Sequence, residues 1–300
     1  MSTIIVRPMA PSEWGQMYEL VERSFGIGQD YFRMHAAMEG EVAPYHHCVA
    51  VNGERLVAHA VVYPKKMRLQ DRTVTLGNVA NVCTDPEYRK RGIASRVMRE
   101  LVAHMKREQM HLSVLGGAPR FYGRFGYQAI APQERITLKA SSIVETPHLC
   151  ATLDDLPWMA ELYDHNMSPL DTAIVRDVAY WQRITQQLSY NLTLVSPQHD
   201  AYCIMTNRHP QQASICDVQA NNVSALKRML LATLDSSHKR AIETVDVSHY
   251  KDPDNDLVRA LEQLEGAVVD RGETCGPLWS RINLDFPKHV NFHIAGGDVR

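Results

Sequence analysis

Residues 46–69 read HHCVAVNGERLVAHAVVYPKKMRL, two apolar-rich runs joined by Asn52-Gly53. An Asn-Gly step between β-prone runs is among the strongest hairpin signals, because both residue types reach the positive φ of a tight turn. Strands joined this closely pair antiparallel, since parallel neighbours need a crossover of a dozen residues or more. The flanking pattern sets what the hairpin belongs to. TIIVRPM reads as a strand ahead of it, and Pro11-Ser12-Glu13 opens a helix whose apolar positions Met17, Leu20, Val21 and Phe25 recur at helical spacing. A second helical stretch covers Tyr31 to Met38. After the hairpin, RTVTLGNVANVCT is a third strand, ended by Asp85-Pro86. A helix from Gly92 to about Glu108 then carries Ile93, Val97, Leu101, Val102 and Met105 as its apolar stripe. HLSVLGG reads as a strand, APRFYGRFG as a short helix, and YQAIAP with RITLKA as a closing hairpin. The expected fold class is α/β of the mixed α+β kind: a mostly antiparallel sheet flanked by helices, with one crossover helix between neighbouring strands.

At 300 residues the chain is about twice an ordinary domain. The second half repeats the order of the first. ATLDDLPWMAELYDHN reads as strand and helix, VRDVAYWQRITQQL as a helix, and LTLVSP, AYCIMTN and QASICDVQA as three strands. The helix NVSALKRMLLATLDSSH, the strand AIETVDV, the helix NDLVRALEQLE and a final strand LWSRINL follow. Two tandem domains of one architecture are expected, 1–140 and 149–300, with a linker at 141–148 where the pattern breaks.

A formal charge of -2 gives no support to a nucleic-acid-binding protein, which would carry a strong basic excess. No apolar run reaches membrane-spanning length, and the N-terminal apolar stretch is too short for the core of a signal peptide, so a cytoplasmic protein with no membrane partner is expected. The six cysteines are scattered, without CxxC or zinc spacing, and read as buried reduced thiols. No metal is expected. His46 and His47, beside Cys48, are neighbours on an extended segment, so their side chains point to opposite faces and cannot jointly chelate an ion.

The segment TDPEYRKRGIASRVM carries the chemistry. A strand delivers the chain to a turn, and the turn to a helix that begins with Gly92 and Ala94. Free N–H groups at a helix N-terminus bind anions, and small residues let a phosphate approach the backbone. Arg89, Lys90 and Arg91 stand at the end of the helix where cations are unfavourable, so an anion nearby would account for them. A solvated basic helix start is the plainer reading of those residues by themselves. The second aromatic motif, one strand later, favours the anion site.

Arg89-Lys90-Arg91-Gly92-Ile93-Ala94 matches the R/Q-x-x-G-x-G/A pyrophosphate loop of the GCN5-related N-acetyltransferases (GNAT). VCTDPEYR before it and FYGRFGY after it resemble that family's usual wording, and the resemblance covers roughly residues 3–140. The whole chain also resembles the first two domains of enhanced-intracellular-survival (Eis) type acetyltransferases, RDVAYWQR in the second half included. The resemblance implies acetyl transfer from acetyl-CoA to a primary amine of a small molecule or peptide, directly, in a ternary complex. It implies that the backbone of Val82, Cys83 and Thr84 binds the pantetheine arm and the acetyl carbonyl. Arg89, Lys90, Arg91, Gly92, Ile93, Ala94 and Ser95 would hold the pyrophosphate, and Tyr122 would protonate the departing thiolate. A phenol near 10 is protonated at neutral pH and close to a thiol's 8.5. Tyr127 is the second candidate for that role. The relatives form homo-oligomers, and self-association is an expectation the resemblance brings.

Candidates for the base that accepts the amine's proton are Glu22, Asp30, Glu39, His46, His47 and His111. In the Eis-type relatives the terminal carboxylate reaches the active site, which makes Arg300, at the end of the glycine-containing tail, a further candidate. Cys83 leaves a covalent acetyl-cysteine route open. In the second half, the turn NNVS has neither a glycine nor a basic cluster, so that domain is expected to keep the fold without the cofactor. A reading from another class is an acyl-CoA-binding sensor without turnover.

Overall fold

The computed structural model describes residues 3–130, 133–141, 147–184, 191–250, 256–274 and 277–282. The chain divides into two units. The first spans Met1–Ile130 and resumes at Pro277, and the second takes in Ala131–Gly276.

The first unit holds β1 (Ile4–Pro8), α1 (Trp14–Phe25), α2 (Gln29–Glu39), β2 (His47–Asn52), β3 (Arg55–Leu69), β4 (Arg72–Thr84), α3 (Ile93–Arg107), β5 (Leu112–Leu115), α4 (Pro119–Tyr122) and β6 (Gln128–Ala129). The second holds β7 (Gln133–Lys139), β8 (Leu149–Cys150), α5 (Leu156–Met167), β9 (Thr172–Ile174), α6 (Val178–Ile184), β10 (Asn191–Val195), β11 (Ala201–His209), β12 (Gln212–Ala220), α7 (Val223–Lys239), β13 (Thr244–Tyr250), α8 (Asp256–Glu262) and β14 (Val268–Thr274). The chain then returns to the first unit with β15 (Leu278–Arg281).

The hairpin read at Asn52-Gly53 forms as expected, with Asn52 opposite Arg55. The first sheet runs β1-β2-β3-β4-β5-β15-β6 and is mixed, because β4 and β5 pair in parallel across the crossover helix α3. The two faces of β3 have different partners. Ala58, Ala60 and Val62 pack with Ile93, Val97, Met98, Leu101 and Met105 of α3, each of these five at most 2% exposed. Burial of that stripe stabilises the unit by roughly 1.5–3 kcal/mol per large side chain. The alternate residues Val61 and Tyr63 face the other way, where Tyr63 meets His35 of α2.

The parallel pairing of β4 with β5 is short. It covers Leu76–Asn78 against Leu112–Val114, while β4 runs on to Thr84. Past Asn78 the two strands separate, which leaves the β5-facing edge of β4 unpaired with β5 and opens a slot in the sheet. Asn81, at φ +53, makes a bulge there and shifts the β3–β4 register between His59 and Val61.

The second sheet runs β14-β7-β13-β12-β11-β10-β8 and has the same plan: an antiparallel series, then one parallel pair, Gln212–Ser214 of β12 against Thr244–Asp246 of β13. Place by place, β7 stands in the second sheet where β15 stands in the first. Here the structure departs from the expected elements. RITLKA does not close a hairpin with YQAIAP; as β7 it pairs with β13 and β14, burying Ile136 and Leu138 with Leu226, Leu230 and Val245. LWSRINL does not finish the second sheet; as β15 it lies between β5 and β6, with Leu278 in the core of the first unit. VVDRGET, to which the sequence pattern assigns no element, is β14. Side-chain alternation marks a strand but not which sheet completes it, so adjacency in sequence misled on both strands. The expected linker at 141–148 falls largely on residues outside those described.

Among the described residues no helix is long and apolar enough to cross a membrane. Because residues 278–281 fill a place inside the first sheet, a fragment of residues 1–140 is expected to aggregate or to lack a cooperative thermal transition when followed by circular dichroism and gel filtration. A monomeric fragment that melts cooperatively would contradict the strand assignment.

Candidate active site

The loop between β4 and α3 is anchored at Asp85, whose residue is 1% exposed. Its Oδ1 accepts from the Glu87 amide at 3.0 Å. Its Oδ2 accepts from Arg23 Nη2 at 2.9 Å and Arg55 Nη2 at 2.8 Å, and its own amide donates to Val57 O. Burial pushes the Asp85 carboxyl up, but the Glu87 amide, Arg23 and Arg55 together outweigh it and hold the group below the usual carboxylate range. Asp85 thereby ties the loop to α1 and β3. Tyr88 adds a second tie, its hydroxyl accepting from Asn52 Nδ2 at 2.9 Å, with the guanidinium groups of Arg55 and Arg91 near its ring.

Arg89 donates to Thr84 O and Ser24 O, and Arg91 to Glu87 O, so both guanidinium groups brace the loop's backbone. Lys90 is exposed, at φ +61. Gly92 is the N-cap of α3 at φ +72 and gives the helix no side-chain cap. The first helical amide bonded across the cap is that of Arg96, to Gly92 O. The amides of Ile93, Ala94 and Ser95 are thus left at the positive end of a 15-residue helix, with no side-chain oxygen bonded to them among the described residues. An atom added at the Cβ position of Gly92 meets nothing within 4 Å, so the space beside the cap residue is open.

Val82, Cys83 and Thr84 lie on the stretch of β4 past its separation from β5. The Cys83 thiol is pushed up to about 12, chiefly by burial. Tyr122, on α4, is 9% exposed, and the hydroxyl has no hydrogen-bond partner among the described residues. Burial, and next the nearby Cys83, raise Tyr122 to about 12. The ring packs on Gly117, where any Cβ would collide with it; the sequence pattern shows the Gly116-Gly117 pair after β5 only as the end of a strand. Tyr127 is placed differently. Its hydroxyl shares a 2.6 Å hydrogen bond with Ser113 Oγ, which bonds Gly77 O, and it fills the space where β4 and β5 are still paired. Tyr122 and not Tyr127 therefore presents a free hydroxyl.

A cavity of about 290 Å³ opens on the α1–α2 face of the sheet. Trp14, Tyr18, Phe32 and Tyr63 supply aromatic walls, with His47 and Asn81 among its polar lining. The base candidates separate on this basis. His47 lines the cavity, whereas His46 pairs with His104 of α3 on the opposite face, at 3.0 Å. Glu39 is held by Lys65 Nζ at 2.7 Å, Glu22 accepts from Gln29, and His111 accepts from the Thr75 amide. Asp30 is exposed in the first turn of α2, and Arg300 lies outside the described residues. Among the described residues no group of three or more His, Cys, Asp or Glu is placed to hold a metal ion.

Residues 5–130 match the family model described as the acetyltransferase (GNAT) domain. The match coincides with the unit that holds the slot, the α3 N-terminus and the cavity. No curated protein matches the chain. Among solved structures, a GCN5-related N-acetyltransferase from Kribbella flavida is similar at TM-score 0.66 and 17% identity, over 93% of this chain and 71% of that one. One from Anabaena variabilis ATCC 29413 is similar at TM-score 0.67 and 16% identity, over 94% and 74%. At that identity the likeness shows a shared fold.

The second unit repeats the strand order of the first and closes its helix N-terminus. The N-terminus of α7 is capped by Asn222, whose side chain accepts from the Ala225 amide at 2.9 Å. Asp217 follows the first parallel-paired residue of β12 by the same count as Asn81 follows that of β4. There it binds Arg176 Nη1 and Tyr202 OH, with the Arg176 guanidinium stacked on Tyr163.

Asp85→Asn keeps the shape of the loop anchor and removes its charge. The expected cost is about 1–3 kcal/mol of stability in urea unfolding. Because the carboxyl is held low in the folded protein, its contribution is present above the unfolded value of about 4 and is lost as the pH falls further, so the difference from wild type should shrink below that pH. A variant as stable as wild type at pH 7 would refute the anchoring role.

Proposed function

We propose that the chain is an N-acetyltransferase that moves the acetyl group of acetyl-CoA directly to a primary amine in a ternary complex. The observation that carries this reading is an uncapped helix N-terminus standing beside an unpaired strand edge in one slot. The Ile93, Ala94 and Ser95 amides offer donors for a pyrophosphate, with Lys90, which has no ion-pair partner among the described residues, as an exposed cation at the same loop. The Val82–Thr84 edge offers amides and carbonyls to an amide-bearing arm, as another strand would. Arg89 and Arg91 then act mainly by holding the loop and by their field.

Tyr122 stands beside the same edge and close to Cys83. A phenol at about 12 is a weak acid for a free thiolate of about 8.5. Cys83 supplies the relevant comparison: in the same surroundings a thiol also rises to about 12. A coenzyme A sulfur buried there would rise in parallel, which brings donor and leaving group back into register. Tyr122 therefore donates a hydrogen bond to the developing thiolate and gives up its proton as that sulfur leaves. The raised Cys83 thiol is a poor nucleophile at neutral pH, which favours direct transfer over an acetyl-cysteine intermediate.

The Eis-type likeness belongs to this reading, supported by the repeated strand order of the two sheets. So does a second unit that keeps the architecture without binding the co-substrate, supported by its Asn222 cap and its filled Asp217 site.

The test is release of coenzyme A thiol from acetyl-CoA over a panel of primary amines. Wild type is expected to release thiol with at least one amine. Tyr122→Phe is expected to lower kcat by about 100-fold or more with coenzyme A affinity unchanged. Tight acetyl-CoA binding with no release for any amine would favour the sensor.

A further inference from the structure

We infer that the cavity on the α1–α2 face binds a small monoamine with a flat apolar body, an arylalkylamine, and that this is the acceptor class. The assignment as acceptor rests on the transfer reading; the binding assignment rests on the cavity alone. Its volume of about 290 Å³ lies at the small end of ligand sites. Trp14, Tyr18, Phe32 and Tyr63 present ring faces and edges, which favour an aromatic guest over an aliphatic polyol.

The charged groups of the wall are Glu41 and Arg33, both exposed, and they cancel. A polycation would have one carboxylate to pair with and a guanidinium to avoid, so this wall disfavours polyamines and aminoglycosides. A peptide would need backbone partners for its own amides that an aromatic wall does not provide.

The polar lining is suited to one N–H group. His59 Nδ1 lies 3.2 Å from Asn81 O, and a carbonyl can only accept, so that nitrogen carries the proton. His59 Nε2 is then an acceptor and takes its hydrogen from His47 Nδ1 at 2.9 Å. This leaves His47 Nε2 as a bare acceptor, buried and without a partner among the described residues, on a residue that lines the cavity. Burial pushes His59 to about 4 and His47 to about 2, so both rings are neutral and the assignment is self-consistent. A buried acceptor left unmade costs about 1–3 kcal/mol; Nε2 itself has no accessible surface, so a donor on the guest recovers that cost once the neighbouring side chains shift to admit it. The cavity and the proposed edge are also neighbours along β4. Asn81 lines it, and the next residue, Val82, begins the edge assigned to the acyl-bearing arm.

The experiment is calorimetric titration of the full chain with 2-phenylethylamine, spermidine and kanamycin, repeated on Ala36→Trp, which fills the cavity from α2. Val42→Trp fills it from another wall and serves if the first variant loses its cooperative thermal transition. The expected result is 2-phenylethylamine binding at least tenfold tighter than either polycation, weakened at least tenfold by the filling variant, with coenzyme A affinity unchanged. Equal or tighter binding of spermidine or kanamycin, no binding of 2-phenylethylamine, or binding indifferent to the filling variant would overturn the inference. Thiol release is scored separately. Binding of 2-phenylethylamine that obeys the cavity variants, with no release for any amine, would refute the transfer reading and leave the cavity assignment standing. Release with other amines, and no binding of 2-phenylethylamine, would do the reverse.

Discussion

The proposed site of the first unit follows from where β4 stops pairing with β5. Three residue pairs hold the two strands in parallel, from Leu76–Leu112 to Asn78–Val114, and then the strands part. Tyr127, bonded to Ser113, fills the sheet on the paired side of that point. Beyond it, β4 carries an unpaired edge into the loop that Asp85 anchors, and the loop ends in Gly92 at the head of α3. An edge strand left open is normally an aggregation hazard. In this unit the opening ends at a helix N-terminus, and a ligand with an amide-bearing arm and a phosphate end would satisfy both at once.

The two sheets make the point by contrast. Both have a short parallel pair followed by divergence, and in both a helix follows the central strand. What differs is how the exposed groups are satisfied. In the second unit Asn222 caps α7, and Asp217, at the position along β12 that Asn81 holds along β4, binds Arg176 and Tyr202. The same strand order thus goes with an uncapped helix N-terminus in the first unit and a capped one in the second. A few side chains decide between them.

Local features were legible in the sequence because they are local. The Asn52-Gly53 hairpin, the apolar stripe of α3, the opposite directions of His46 and His47 and the missing glycine at NNVS each depend on a few neighbouring residues, and each is found where expected. The family match over residues 5–130 agrees with the motif Arg89–Ala94 and its flanking segments. Long-range choices were not legible. Nothing in RITLKA or LWSRINL says which sheet lacks a strand, so β7 and β15 were assigned to the wrong ones. Asp85 gains its role from Arg23 and Arg55, which stand 62 and 30 residues away in sequence. Gly117 matters because the Tyr122 ring lies on it, a contact that sequence spacing does not reveal. The role of Arg89 and Arg91 as braces was hidden for the same reason, since their acceptors are backbone carbonyls that carry no sequence signal.

The central claim is that one helix N-terminus and one strand edge, both in the first unit, form the coenzyme A site. Amide hydrogen exchange read residue by residue with and without coenzyme A tests it most directly. The account predicts slowed exchange at Val82–Thr84 and at Ile93–Ser95, and no change at Val223–Ala225, where α7 is already capped. Protection at the start of α7, or none at the start of α3, would contradict it.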